Sequence, residues 1–464
     1  MRRKIIIFCS GDSRHRFSTP PHTWVNEGIA KLLQEKNIIV TTYNYIINEF
    51  MRRMLFRRMN ARQENVILII DEAHNLHRFS LHPESQSISI ELLKKAGEEA
   101  KTIDEELSFS LMNLYESLKM MELKDDEKIL PKEMFSSIDF SKCFYYGENI
   151  QEERVIKGET PVSYLLSIAD FIELASKKDV IVSMNVDKIL EALQLKRIEI
   201  FNKVYSSVSI SATIKPFEAY IKLCNLPENK TIAIETPYPF PTSNFKVFLL
   251  NDITTRYKER NEILYYKIYK IISSTFPLMY GGVLICFPSY ELLENFQKYI
   301  EDKNYKFDAL MLIERKWMNS IEIHALYNEF IDKALSNKVY LLTVMGGRLS
   351  EGVDYVANSL KTVIIIGVPY AKPSEKQTEL LKYYEKIFGE KGRLYGYVIP
   401  ALWTSLQASG RGIRGPNDVC LLIFADKRYL KLKKLLPTWI SEGIKITNLQ
   451  NLEDEVDNSV SMLY

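Results

Sequence analysis

The sequence predicts an α/β protein built from two parallel-sheet lobes, with a helical insert placed inside the first. Six apolar runs point there: NVILIIDEAHNL, YSSVSISATIKP, GGVLICFPSYELL, NKVYLLTVMGG, LKTVIIIGVPY and DVCLLIFADKRY. Continuous aliphatic runs of this length suit strands buried on both faces of a parallel sheet. Strand, polar turn and amphipathic stretch, repeated, mark α/β layers. Between Leu76 and Val204 this texture is lost, and ELLKKAGEEAKTIDEELSFSLMNLYESLKMM repeats apolar residues every three or four positions, as amphipathic helices do. The expectation for residues 86–199 is therefore helices without sheet. The 464 residues, 46% hydrophobic and 26% charged, have globular composition with room for two to four domains.

Charge is uneven along the chain. Residues 1–60 hold eleven Lys/Arg against four Asp/Glu, whereas residues 81–135 hold thirteen acidic against seven basic residues. Arg52, Arg53, Arg57 and Arg58 lie at helical spacing and read either as a phosphate-facing patch or as a solvated helix face. The longest apolar runs, Val66–Ile70 and Thr362–Val368, fall far short of the roughly 20 residues that span a bilayer. Five scattered cysteines form no CxxC pair, which speaks against a disulfide framework or zinc ribbon. These features predict a soluble intracellular protein.

Four motifs carry chemistry. VILIIDEAHNL delivers Asp71 and Glu72 to a strand's carboxyl end, where open parallel sheets place their ligands. An acidic residue there can hold Mg²⁺ while its neighbour orients the attacking water; a bare DE pair would equally be a solvated turn. Ser211 and Thr213 sit at the end of a second run, where hydroxyls often just cap a turn. GGRLSEGVDY combines Gly346, Gly347, Arg348, Ser350, Glu351, Gly352 and Asp354: glycine admits close backbone approach to phosphate, and Asp354 can accept from a ribose hydroxyl. In QASGRGIRG, Arg411 and Arg414 are three residues apart and suit an arginine-finger role, or form a plain surface pair.

In this order the motifs resemble those of the XPD/DinG-type superfamily 2 DNA helicases, over roughly residues 35–435. Asp71-Glu72-Ala73-His74 resembles motif II, Ser211-Ala212-Thr213 motif III, and Ile285 to Tyr290 motif IV. Gly347 to Tyr355 is similar to motif V and Gln407 to Arg414 to motif VI, with GVPY and FADKRY as further family-typical segments. The resemblance implies an incomplete first RecA-like lobe at 1–85 and 200–235, an arch-like insert at 86–199 and a second RecA-like lobe at 236–464. It implies catalytic roles for Asp71, Glu72, Arg411 and Arg414, and binding of ATP with Mg²⁺ through Asp71, Asp354, Gln407 and Gly352. His74, Ser211 and Thr213 would couple nucleotide to DNA, and Tyr43, Gly347, Arg348 and Ser350 would contact the nucleic acid. Tyr43 and Tyr45, in TTYNY, are stacking candidates, one of them expected in the core.

The chain departs from that pattern. No GxxxxGK[ST] occurs in the 464 residues, and that loop supplies the backbone cradle and lysine for the β/γ-phosphates. Cys9 is the only cysteine before the DEAH run, and one thiolate cannot hold a cluster that wants four, so no iron–sulfur cluster is expected in this chain. The expected function is ATP-dependent translocation on single-stranded or forked DNA in repair, with a separate N-terminal lobe or partner protein supplying what is missing. The competing expectation is a degenerate paralogue that binds DNA, or serves as an interaction subunit, without ATP turnover.

Overall fold

In the first sheet, β1 (Lys4–Cys9) lies between β2 (Ile38–Thr42) and β3 (Val66–Ile70), all parallel, with Ile5 in register with both Ile38 and Ile67. In this computed structural model the residues described are 4–9, 31–77, 85–123, 126–195, 197–274, 281–307, 309–351, 353–356 and 359–463. The helix Glu49–Arg58 follows β2, capped by the Asn48 side chain, which accepts from the Met51 N–H. Of the four arginines read as a phosphate patch, Arg52 is buried, and its guanidinium donates to the Ile46 and Ile47 carbonyls at 2.5 and 3.3 Å. Arg53 pairs with Glu49 one turn earlier. Helix geometry turns Arg52 inward to cap the preceding turn, so the patch reading fails for that residue.

After β3 the chain enters the insert and returns in a strand over Ser206–Ser209 that pairs in parallel with β3 (Ile70 beside Ser209). The insert has four main helices, Ile90–Ala100, Glu105–Met120, Phe140–Ile156 and Tyr164–Ala175. Leu93, Leu111, Leu118, Phe135, Ile168 and Phe171 form their common core. What reads in sequence as one helical stretch is broken at Asp104, whose carboxylate accepts from the Leu107 N–H at 2.9 Å and starts a new helix.

The expectation of helices alone needs correcting. The insert also holds an antiparallel sheet of β4 (Gln86–Ser89), β5 (Glu127–Ile129), β6 (Val180–Asn185) and β7 (Ile189–Gln194), in the order β4-β7-β6-β5. Ile189–Gln194 reads ILEALQ, residues that favour helix. Pairing on both sides buries Leu190, Ala192 and Leu193, and such tertiary packing overrides weak local preference. The strand β8 (Ser206–Ser209) then closes the first sheet in the order β2-β1-β3-β8.

The second unit contains β9 (Phe245–Leu250), β10 (Gly281–Phe287), β11 (Leu310–Ile313), β12 (Lys338–Val344), β13 (Leu360–Ile366), β14 (Cys420–Ala425) and β15 (Ile444–Thr447). All are parallel, in the order β11-β12-β10-β13-β14-β9-β15. Alternate residues of β10 enter two different cores, Leu284 and Cys286 on one face, Val283, Ile285 and Phe287 on the other. Both faces are covered, as the apolar runs require. Among the described residues no helix is long and apolar enough to cross a membrane.

One segment joins an unexpected unit. Residues 372–396 lie between β13 and β14 in sequence, inside the stretch expected as a single second lobe, yet they cluster with the first unit. The helix Glu375–Phe388 packs against the edge strand β5. There Glu375 accepts from the Ile129 N–H at 3.1 Å, and the Lys376 ammonium reaches Glu127 at 3.0 Å and Glu191 at 2.5 Å. Burial works against the Lys376 charge, but its bonds to the two glutamates outweigh that and hold its pKa above the ordinary lysine value. Replacing Lys376 by Met would leave two neighbouring carboxylates without their cation. Amide exchange in 375–388 and β5 should then quicken by about tenfold, with the second unit's sheet unaffected; unchanged exchange would show that the ion pair does not hold this helix.

Candidate functional site

On the first unit the candidate site grows from the carboxyl end of β3. Asp71 and Glu72 are both exposed, on a turn where Glu72 takes a left-handed conformation (φ 48°). A non-glycine residue there is held by its surroundings, and here the holding groups are visible. The buried Tyr43 donates its hydroxyl to the Asp71 and Glu72 carbonyls, the latter at 3.0 Å. The Glu72 N–H donates to Asp71 Oδ1 at 2.9 Å, and the Ala73 N–H to the Ile210 carbonyl at 2.9 Å. His74, buried, shares a hydrogen bond with Ser211 Oγ at 2.9 Å and lies 3.3 Å from Glu72 Oε2. The turn is thus fixed from β2 and β8 while both carboxylates face outward. Of the two stacking candidates, Tyr43 and Tyr45, one of which is expected in the core, Tyr43 is a core residue, and it pins the acidic turn instead of meeting nucleic acid.

On the second unit the carboxyl ends of β10, β12, β13 and β14 carry the remaining motifs. Gly346 has φ 79°, and a Cβ on Gly347 would lie 2.7 Å from the Val344 carbonyl oxygen, so the turn after β12 requires its diglycine. The short helix Arg348–Glu351 follows. Ser350 is buried with its hydroxyl donating to the Val344 and Gly347 carbonyls at 2.9 and 3.0 Å, so its side chain shapes the turn instead of facing nucleic acid. Arg348, half-buried, donates to the Met318 carbonyl. Gly352 lies outside the described residues. Thr213 is buried and clusters with the second unit, whereas His74 and Ser211 cluster with the first.

The expected pair of arginine fingers separates into two roles. Arg411, only 12% exposed in its side chain, donates Nε to the Ser350 carbonyl at 2.9 Å, Nη1 to Val353 at 2.7 Å and Nη2 to Glu351. Burial, and then the charge of Arg414, push its pKa below the ordinary arginine value. Its donors are committed to the turn after β12. Arg414 is 42% exposed and reaches Asp354 at 3.0 Å, while its backbone N–H and that of Gly415 donate to the buried Asp418 at 2.8 and 2.7 Å. Asp354 is 86% exposed. Gln407 is half-buried on the helix Ile399–Ser409, which leads into this loop.

Sequence reasoning missed three groups. Glu314, fully buried after β11, accepts from the Tyr290 hydroxyl at 2.9 Å and from Thr343 Oγ1; burial and Glu314 push the Tyr290 phenol above its ordinary pKa. An acid after an apolar run is the signal that singled out Asp71, and LMLIE carries it too. Asp426, fully buried, accepts from Arg428 Nε at 2.9 Å and Nη2 at 2.7 Å and from the Thr255 N–H at 2.8 Å. Arg428 in turn lies 5.3 Å from the Tyr370 ring, which stacks on Tyr397 at 4.9 Å with 6° between planes. Asp426 and Arg428 are two residues apart, but their links to Thr255 and Tyr370, like those of Glu314 to Tyr290 and Thr343, cross long sequence separations that hide them.

Removing Arg411 would leave three carbonyls of one turn without their donor. Arg411→Ala should lower the stability of the second unit by roughly 3 kcal/mol, and Arg411→Lys, which lacks the planar fork, should recover little. Arg414→Ala should stay within about 0.5 kcal/mol. Urea unfolding of the full chain measures both; equal losses would contradict the division of roles.

Two family models match the chain: the helicase C-terminal domain over residues 272–443, and DEAD_2 over residues 28–93. The ATP-dependent DNA helicase XPD of Sulfolobus acidocaldarius is 25% identical over 425 residues, covering 86% of this chain and 71% of that protein. The ATP-dependent DNA helicase CHL1 of Kluyveromyces lactis is 23% identical, covering 89% of this chain and 58% of its own length. The general transcription and DNA repair factor IIH helicase subunit XPD/RAD3 of Saccharomyces cerevisiae is 23% identical, covering 91% and 66%. Among solved structures, the fold is similar to that of an XPD helicase (TM-score 0.59, 22% identity, 90% of this chain and 74% of that one). It is also similar to S. tokodaii Xpd4 (TM-score 0.62, 18% identity, 96% and 90%). Motif order, both family models and these relatives support an XPD-type superfamily 2 helicase, and the solved XPD structures share the fold.

Proposed function

We propose that the chain works in ATP-dependent translocation along single-stranded DNA, in DNA repair. The observation that carries this reading is the acidic turn after β3. Two carboxylates are held outward by Tyr43, and the histidine beside them is tied to Ser211 on the strand end that follows the insert. Asp71 keeps Oδ2 outside its contact with the Glu72 N–H, which suits a residue that holds a hydrated cation through one carboxylate. Among the described residues no three His, Cys, Asp or Glu gather as a metal cage. This fits Mg²⁺, which is ordinarily held by one or two carboxylates plus phosphate oxygens. When bound with ATP, Mg²⁺ would neutralise charge on the β- and γ-phosphates.

The chain's own groups then take the following parts. Glu72 orients the attacking water and accepts its proton. On the second unit, Arg414 can exchange the exposed Asp354 for a phosphate oxygen, while Arg411 keeps the turn after β12 in place. His74 and Ser211 transmit a shift of the acidic turn to β8. On the second unit the Gly347 N–H is given to the Val344 carbonyl at 2.8 Å, and Arg348 with the Tyr370–Tyr397 stack offers a nucleic-acid face that combines cation and rings.

These residues do not include a GxxxxGK[ST] loop, so the phosphate cradle is not supplied by the 464 residues. That observation favours a second reading, a DNA-binding or interaction subunit without turnover of its own. For the 464-residue chain alone, loss of positioning and charge stabilisation should slow ATP hydrolysis by on the order of 10³-fold. DNA affinity should persist and fall steeply between about 50 and 200 mM salt. An ATPase assay with and without single-stranded DNA, beside a binding titration at two salt concentrations, tests both statements. Residual hydrolysis abolished by Glu72→Gln supports the catalytic reading. Hydrolysis indifferent to Glu72→Gln supports the second, and absence of DNA binding at low salt overturns the DNA-based readings.

A further inference from the structure

The loop joining β11 to the helix Ser320–Ala334 is held at nearly every position. Glu314 begins it, bonded to Tyr290 and Thr343, with its N–H donating to the Leu342 carbonyl at 2.9 Å. The Arg315 guanidinium donates to Gln297. Met318 packs against the core, and its carbonyl accepts from Arg348. Asn319 and Glu322 close a capping box: the Asn319 N–H donates to Glu322 at 2.6 Å, and Asn319 accepts from the Glu322 N–H at 3.1 Å.

Between these anchors stand Lys316, exposed, and Trp317, 73% exposed. Among the described residues Lys316 has no ion-pair partner. An indole left in water forgoes burial, yet it stands on a loop already ordered by its neighbours, so binding a partner would lose little backbone freedom. The loop leaves the carboxyl end of the edge strand β11, on the sheet edge that also carries Tyr290 and the turn with Arg348. Beside the ring in sequence stands the Lys316 ammonium, and the Glu322 carboxylate further on is taken up by the Asn319 N–H, so the exposed pair of cation and indole favours a polyanion that also offers flat apolar faces.

We propose that Lys316 and Trp317 form a nucleotide subsite at the margin of the second unit, where the indole stacks on a base of single-stranded nucleic acid and the ammonium meets a flanking phosphate. This rests on the nucleic-acid reading above and extends it to a loop outside the helicase motifs. A single-strand subsite of this kind tolerates any base, because every base has a π-face.

The test uses the full chain titrated with oligothymidylate and followed by tryptophan emission and by anisotropy of a labelled oligonucleotide. The chain has four tryptophans, Trp24, Trp317, Trp403 and Trp439, so the quench is assigned to Trp317 by its loss on substitution of that residue alone. Trp317→Ala should weaken binding by about tenfold. Trp317→Phe, which keeps a ring, should bind within about threefold of the parent while losing the quench. Lys316→Gln should lower the slope of affinity against salt by about one unit. If the unsubstituted chain binds and Trp317→Ala binds equally tightly with the same quench, the subsite is overturned and the nucleic-acid reading stands. If the unsubstituted chain fails to bind at about 50 mM salt, both fall together.

Discussion

The carbonyls of Ser350, Glu351 and Val353 converge on the buried guanidinium of Arg411. A turn whose carbonyls face one another repels itself unless a donor sits among them, and water cannot serve where the space is closed. Arg411 supplies a planar, permanently charged fork with several donors, which no other side chain offers. Through this one group the turn after β12 is tied to the loop after the helix Ile399–Ser409, and Arg414 and Asp354 take their places relative to each other. The exposed chemistry of the second unit stands on a buried cation that itself contacts only the protein.

In each site one group is committed to the protein so that another can stay exposed. Arg414 is exposed where Arg411 is committed. Asp71 and Glu72 point outward because Tyr43 has given its hydroxyl to their carbonyls. Arg52 caps a turn while Arg53 remains at the surface. Preorganisation needs both members: a reactive group held by flexible contacts would have to be ordered during each turnover, and that ordering would be subtracted from transition-state stabilisation.

The insert shows a different constraint. Its sheet has a short edge strand, β5, whose outward N–H groups would invite pairing with another chain. The helix Glu375–Phe388 covers that edge with side chains, Glu375 on the Ile129 N–H and Lys376 between two glutamates. The covering helix comes from a segment bounded in sequence by β13 and β14 of the other sheet. Protection of the insert's edge is therefore built into the chain's route between two strands of the second unit.

The sequence by itself determined the parallel sheet of the second unit, since its unbroken aliphatic runs are buried on two faces, and it marked the carboxyl ends of both parallel sheets through the acids, hydroxyls and arginines that follow. It also determined where the insert begins and returns, because the run ending at Ile70 and the run ending at Ser209 differ from everything between them. Tertiary structure alone decided that ILEALQ is a strand, that Tyr43 and Ser350 face inward, that Arg411 and Arg414 differ, and that Glu314, Tyr290 and Thr343 form one buried cluster. Each of these depends on a partner far away in sequence. Burial and hydrogen-bond satisfaction are properties of the assembled environment, and two arginines three residues apart carry the same local pattern until three carbonyls choose one of them.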